Sequence, residues 1–413
     1  MTATPLELED VWRREAPYVL AVLVRAHGHF DDCEDATQEA LLAAATQWPA
    51  EGVPTNPRGW LIRVAQRRLV DRTRSDVARR RREVSLVERS DARWDEERAG
   101  SGDVDDSLYV LLLCCHPALT RASQVALALR AVSGLTTTQI ASGFLVPPTT
   151  MGQRISRAKA AIVQAGGTFP PPAADLWTRT VSVRHAIALL HTEGHLSSSG
   201  TTLTDPGFST EAVRLARLLA TAAPHDPENA GLLALLLLTQ ARAEARTGED
   251  GSLVPLELQD RSLWDADAIA EGVRLLETAL PTGPVGEFQL QGAIAAVHAE
   301  AATWDDTDWP QILELYGMLD AVAPSVAVTI GHAVAESRVH GPRAGLRRLE
   351  ALAGTDHHRV HATRGHLLAE TGEVGEAVEA LRRAARLTRS IPEQRYLNDV
   401  LRRLEEPGRG RDV

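Results

Sequence analysis

Aromatic residues make up only 4% of this 413-residue sequence, and it holds just three cysteines, Cys33, Cys114 and Cys115. Three thiols without spaced pairs exclude a disulfide framework and fit a reducing compartment. Long apolar runs are also missing. The longest, Leu232 to Leu238, is far below the roughly 20 residues that span a bilayer. Acids precede any apolar stretch between Met1 and Glu15, which is not the layout of a secretory signal. Nor do polar and apolar residues alternate for long, so helix propensity outweighs strand propensity almost everywhere. These absences predict an all-α, cytoplasmic protein without a membrane segment, and the length predicts two or three domains.

Charge is unevenly placed. Residues 1–165 hold 21 basic and 21 acidic side chains, so residues 166–413, with 23 basic against 34 acidic, carry the whole net charge of -11. Any nucleic-acid site therefore belongs to the first part. Within it, Asn56 to Arg82 has ten Arg against two Asp, an excess of +8 in 27 residues. An Arg run alone is as often a solvated face as a nucleic-acid contact.

Apolar residues at Tyr18, Val19, Val22, Leu23 and Ala26 predict a first helix over Val11 to Ala26, closed by Gly28. Asp31 or Asp32 is placed to cap a second helix that runs to about Trp48, with Ala36, Ala40, Ala43 and Ala44 on one side and Asp35, Gln38, Glu39 and Leu42 on another. Pro and Gly residues then force a loop. A third helix restarts near Gly59 with Trp60, Leu61, Val64 and Leu69 inward, and the Arg run follows. Glu83 to Asp106, with nine acids and three Arg, is expected to be a linker. Leu135 to Ile162 spells helix, tight turn, helix. Met151, Ile155, Ala158 and Ile162 form the buried stripe of the second of these helices, and Thr149, Gln153, Arg154, Arg157 and Lys159 are left outward. Pro147 and Pro148 suit its first turn.

Beyond the Gly/Pro break at Gly166 to Pro172, some ten helical segments separated by Pro, Gly or Asp read as antiparallel pairs. Gly365, Leu368, Ala377, Leu381 and Ala384 match the packing positions of a tetratricopeptide repeat. Gly231 to Thr239 reads as a buried repeat helix, and Asp265 as the cap of a helix starting at Ala266.

The order Asp31 to Ala40, Asn56 to Ala65, then Asp71-Arg72 resembles region two of extracytoplasmic-function sigma factors. Leu135 to Ala141 and Ile155 to Lys159 resemble region four of the same family. The remainder resembles a subgroup with an appended tetratricopeptide-like domain, through Leu215 to Leu219, Gly231 to Leu235 and Gln259 to Asp265, while Thr192 to His195 departs from its pattern. The resemblance implies region two at 1–82, an acidic linker at 83–106, a region-four helix-turn-helix at 107–165 and a helical-repeat domain at 166–413.

It also implies roles. Asp35, Gln38, Glu39 and Leu42 would dock on core RNA polymerase, at the β′ clamp helices, with the β flap as a further partner surface. Arg58, Trp60, Arg63, Arg67, Arg68 and Arg72 would hold the unwound minus-ten element, a task for a basic groove with stacking groups. Thr149, Thr150, Gln153, Arg154, Arg157 and Lys159 would meet promoter DNA at the minus-thirty-five element from the major groove. Asp260, Arg261 and Trp264 form a compact anchoring set for an interdomain contact, and a protein or small-molecule signal is expected at the C-terminal domain. No enzymatic activity, cofactor or metal is expected. Cys114-Cys115-His116 points its thiols about 100° apart, and His191 and His195 lack the Glu placement of a zinc protease. His357, His358, His361 and His366 are expected to decorate a repeat surface. The rival readings are a one-component ligand-sensing regulator that does not join polymerase, and a metal-dependent hydrolase on the His-rich repeats.

Overall fold

The computed structural model describes residues 5–27, 30–81, 107–166 and 176–406, of which 5–10, 12–14, 21, 25, 72–81, 176 and 177 as helical backbone alone. The expected acidic linker, the Gly/Pro break and the first four residues lie outside the described residues. Backbone packing divides the chain into two compact units, one of residues 1–141 and 146–186, the other of 142–145 and 187–413.

In the first unit α1 (Pro5–His27), α2 (Phe30–Glu51) and α3 (Pro57–Arg81) pack on one another. The stripe Cys33, Ala36, Ala40, Ala44 and Trp48 buries one face of α2. The helix starts at Phe30, earlier than a cap at Asp31 or Asp32 requires; both aspartates lie in its first turn, where negative charge complements the helix dipole. Gly52, at φ +86°, ends it by donating its N–H to Trp48 O at 2.9 Å. Asn56 Oδ1 accepts the Gly59 N–H at 2.9 Å and so opens α3. Among its described side chains Leu61, Ala65 and Leu69 are fully buried, while Trp60 and Val64, expected inward, are half-buried because the stripe steps by four from Leu61.

The same unit holds α4 (Ser107–Cys114), α5 (Arg121–Val132), α6 (Thr137–Gly143) as far as Ala141, α7 (Pro148–Gln164) and the start of α8 (Leu176–His195). Thr120 caps α5, and Thr136 with Gln139 forms the reciprocal box of α6. The tight turn to α7 puts Leu145 at φ +54°, a left-handed conformation costing an L-residue about 1 kcal/mol or more. Pro147 and Pro148 open α7, and Met151, Ile155, Ala158 and Ile162 are buried as their spacing predicts. The start of α8 belongs to this packing: Arg179 donates to Leu112 O at 3.2 Å and Ser182 Oγ to Gln124 Oε1 at 2.6 Å.

The second unit is an array of helix pairs built from the end of α8 and from α9 (Pro206–Ala222), α10 (Pro227–Gln240), α11 (Ala266–Ala279), α12 (Glu287–Glu300), α13 (Trp309–Val322), α14 (Val326–His340), α15 (Pro342–Leu349), α16 (His358–Thr371), α17 (Val374–Leu387) and α18 (Ile391–Glu405). Asp205, Asp226, Asp265 and Asp308 each cap the helix that follows, worth about 1 kcal/mol apiece. Consecutive helices pack in pairs, and α10 also packs along α12. Close approach requires glycine at several crossings: a Cβ on Gly365, for example, would lie 2.6 Å from Leu381 Cγ, and one on Gly231 2.6 Å from the Gln289 N. Leu368, Ala377, Leu381 and Ala384 are buried as the repeat pattern requires. The run from Gly231 to Leu238 is the buried face of α10.

Two features escape the sequence pattern. Ser199 and Gly200 form a strand, β1, paired in parallel with β2 at Arg389 and Ser390, which ties the first helix of the array to its last. The four clustered histidines are not surface decoration: each is half-buried. His357 accepts from Arg359 N, His358 lies 3.3 Å from Glu393, His361 3.0 Å from Asp356, and His366 meets Tyr396.

Candidate polymerase and promoter interface

On α2 the face opposite the buried stripe presents Asp35, Gln38, Glu39 and Leu42 in steps of three and four. Asp35 and Gln38 are exposed, Glu39 is half-buried, and Leu42 is 68% exposed. A large apolar side chain left in water among hydrogen-bonding groups is the anatomy of a contact core with a polar rim.

The residues expected at the minus-ten element do not share one environment. Arg63 and Arg67, one turn apart on α3, are exposed, and neither pairs with another described side chain. Trp60, next along that stripe, meets Trp48 edge to face with ring centroids 5.4 Å apart. Arg58 is turned to α1, its Nε 2.8 Å from Glu15 and its guanidinium 3.7 Å from the centre of the Tyr18 ring. Burial opposes its charge, but Glu15 and then Tyr18 outweigh burial and hold its pKa above the usual arginine value. Arg68 lies 3.5 Å from Glu39, so one expected DNA contact meets one expected polymerase contact. Arg72 is on the same helix, and its side chain lies outside the described residues.

On α7, Thr149, Thr150, Gln153 and Arg157 are exposed and Arg154 is half-buried. Lys159, the only lysine of the chain, is committed elsewhere. Its ammonium lies 3.0 Å from Asp31 Oδ1 and also bonds Glu34, both on α2. Arg130 of α5 approaches the same Glu34 at 3.8 Å. Burial lowers the lysine pKa, yet Glu34 and then Asp31 carry it above 10.5. Sequence reasoning missed this cluster; the signal was the acidic run from Asp31 to Asp35, read only as a cap and an acceptor face.

Asp260, Arg261 and Trp264 are brought together inside the second unit. Asp260 caps a short turn through Ser262, and Arg261 donates to the carbonyls of His298 at 2.7 Å and Ala301 at 2.5 Å. The same guanidinium lies 4.6 Å from the centre of the Trp264 ring, and that indole is buried. The cysteines are buried and inert, Cys33 and Cys115 pushed up to about 12 by burial first. Among the described residues no group of three or more His, Cys, Asp or Glu is placed to hold a metal, and no helix is long and apolar enough to cross a membrane.

An exposed arginine stripe beside a helix-turn-helix defines a class, that of DNA-directed transcription factors. Comparison with known proteins gives the family. Residues 11–80 match Sigma-70 region 2, residues 109–162 match Sigma-70, region 4, and residues 179–280 match a family of unknown function, DUF6596. An uncharacterized protein of Rhizobium meliloti (strain 1021) is 38% identical over 392 residues, 92% of either chain. The crystal structure of yeast Tom70 superposes with a TM-score of 0.32 at 11% identity, over 98% of this chain and 85% of its own, a likeness too loose to bear on the fold or the function. The chain belongs to the sigma-70 family, as an extracytoplasmic-function-like sigma factor with a C-terminal extension. It is a transcription factor with a role in promoter recognition.

Proposed function

We propose that the chain binds core RNA polymerase through the exposed face of α2 and directs promoter opening with α3 and α7. The observation that carries this reading is Leu42, 68% exposed in a row of Asp35, Gln38 and Glu39. Such a row offers an apolar anchor with acceptors around it, suited to a basic and polar partner. Arg63, Arg67 and Trp60 then supply cations and a ring for a separated strand, and the outward residues of α7 supply bidentate donors for base edges. In this reading the work is divided among 1–82, 83–106, 107–165 and 166–413, with the last part supporting activity.

Run-off transcription with core polymerase tests it. The full chain is expected to initiate at its promoter, and Leu42→Asp to lose both initiation and co-purification with core polymerase. A chain ending at Ala186, which keeps the Arg179 and Ser182 packing of the first unit, is expected to initiate less well than the full chain. A full chain that binds promoter DNA alone and never associates with core polymerase overturns the reading.

A further inference from the structure

The second unit gathers cations in one place, near acids that are engaged elsewhere. Arg242 and Arg246 follow α10, Arg261 and Trp264 lie on the segment leading to α11, and His191 and His195 stand on the last turns of α8. They are physically linked. The His191 and His195 rings stack with centroids 5.8 Å apart, and Arg246 Nη1 contacts His195 Nε2. Arg242 and Arg261 both lie over the Trp264 ring, at 5.9 Å and 4.6 Å. The segment is held in place because Asp265 donates its N–H to Ala241 O at 2.9 Å.

Carboxylates nearby are occupied: Asp306, whose charge reaches Arg261, accepts from the Thr303 N–H at 3.2 Å and from Thr303 Oγ1 at 2.7 Å. Glu393, whose charge reaches Arg246, accepts from Thr388 Oγ1 at 2.7 Å and lies 3.3 Å from His358. Asp260 and Asp265 accept from the backbone at Ser262 and Ala268. Among the described residues none forms an ion pair with Arg242, Arg246 or Arg261. Donors are left over as well: Arg246 Nε, Arg261 Nη2 and the Trp264 indole N–H are buried with no hydrogen-bond partner.

Burying charge without a counter-charge is costly. Burial first and then mutual repulsion push Arg242 down to about 10 and Arg246 to about 9, and hold His191 at about 4. Guanidinium forks with spare N–H groups match a planar or tetrahedral oxyanion. A nucleic acid is disfavoured, because residues 166–413 carry 34 acids against 23 bases and the donors are recessed. We propose that Arg242, Arg246, Arg261 and the Trp264 indole N–H form a binding site for a small, multiply charged oxyanion, borne by a phosphate or a polycarboxylate. The site is independent of polymerase binding.

The test is calorimetric titration and thermal melting of the full chain with inorganic phosphate and, separately, with citrate, against sodium chloride at matched ionic strength. Phosphate or citrate is expected to bind and to raise the unfolding midpoint by several degrees where chloride does not. A response to phosphate alone supports a phosphate ligand, and one to citrate alone supports a polycarboxylate. Arg246→Met and Arg242→Met are expected to weaken binding about tenfold or more while melting no lower than the wild type in chloride, since each removes an unpaired charge. Arg246→Lys, which keeps the charge and loses the fork, is also expected to bind more weakly, and exposed Arg347→Met to bind normally. No response beyond chloride, or a response that Arg246→Met and Arg246→Lys both retain, overturns the site.

Discussion

The Lys159 ammonium lies 3.0 Å from Asp31 Oδ1, so the helix-turn-helix and the second helix of the chain are joined by an ion pair. Minus-ten and minus-thirty-five elements are about 25 base pairs apart, roughly 85 Å along B-DNA at about 3.4 Å per pair. In the proposed reading, with region two and region four on their separate elements, this contact breaks. An ion pair of partly exposed groups is worth about 1 kcal/mol or less, an amount that promoter contacts readily offset.

Because the chain has one lysine, reductive methylation with a 13C label gives a single lysine resonance besides the N-terminus. Its titration is expected above the ordinary 10.5, the direction that Glu34 and Asp31 impose against burial. A folded-state pKa raised in this way stabilises the contact at neutral pH, and that contribution disappears as pH climbs through the raised value. Glu34→Gln is expected to bring the titration down. A wild-type lysine titrating at or below 10.5 would show that the pair does not form.

In the proposed reading Leu42 makes its contribution in a complex and not in the fold. Its 68% exposure places Leu42→Asp among surface changes, within about 0.5 kcal/mol of wild-type stability. Urea melts are therefore expected to superpose while core polymerase capture is abolished. Wild-type capture by the variant would remove α2 from the interface.

Among the described residues, Arg63 and Arg67 are the exposed arginines of α3 without an ion pair. Replacing both by Gln is expected to weaken holoenzyme binding to promoter DNA and to flatten its salt dependence by about 0.7 to 0.9 log units for each phosphate that is no longer neutralised. Arg58→Gln is expected to lower stability first, because that side chain holds Glu15 and Tyr18. An unchanged slope for the double variant would mean these two side chains do not face DNA.

What the sequence made legible was local. The stripe from Met151 to Ile162, the Asp265 cap and the Gly365/Leu381 crossing follow from spacing and chain chemistry, and the structure has them in place. Partners distant in sequence were not legible. Nothing local to Lys159 tells that Asp31, more than a hundred positions earlier, will neutralise it, and Arg58 reads as a free DNA contact until α1 brings Tyr18 beneath it. The pairing of Ser199 with Arg389 has no pattern at all, since two-residue strands carry no periodicity. For the same reason His191 and His195 were weighed only as metal ligands, while Arg246 reaches them from a turn some fifty residues on.

That histidine and arginine packing predicts acid sensitivity of the extension. His191 is 3% exposed, and burial, then Arg246 and Arg242, lower its pKa to about 4. In the unfolded chain it returns to about 6.5. Between these values the unfolded state binds a proton that the folded state refuses, so stability rises with pH across the window and is lost as pH falls from about 7 toward 4. At about 1.36 kcal/mol per unit, His191 alone accounts for about 3 kcal/mol at most. His298, lowered to about 4 by burial and then by Arg242 and Arg261, acts in the same direction. Urea melts of the full chain at pH 7, 6 and 5 are expected to show a falling midpoint, partly offset by Glu211, which burial raises to about 7 and which therefore gains a proton in the folded chain over the same window. His191→Gln is expected to flatten the fall, and Arg246→Met to reduce it by removing a neighbouring cation. A pH dependence that His191→Gln leaves unchanged from pH 7 to 5 would mean that His191 protonates as freely in the folded chain as in the unfolded one.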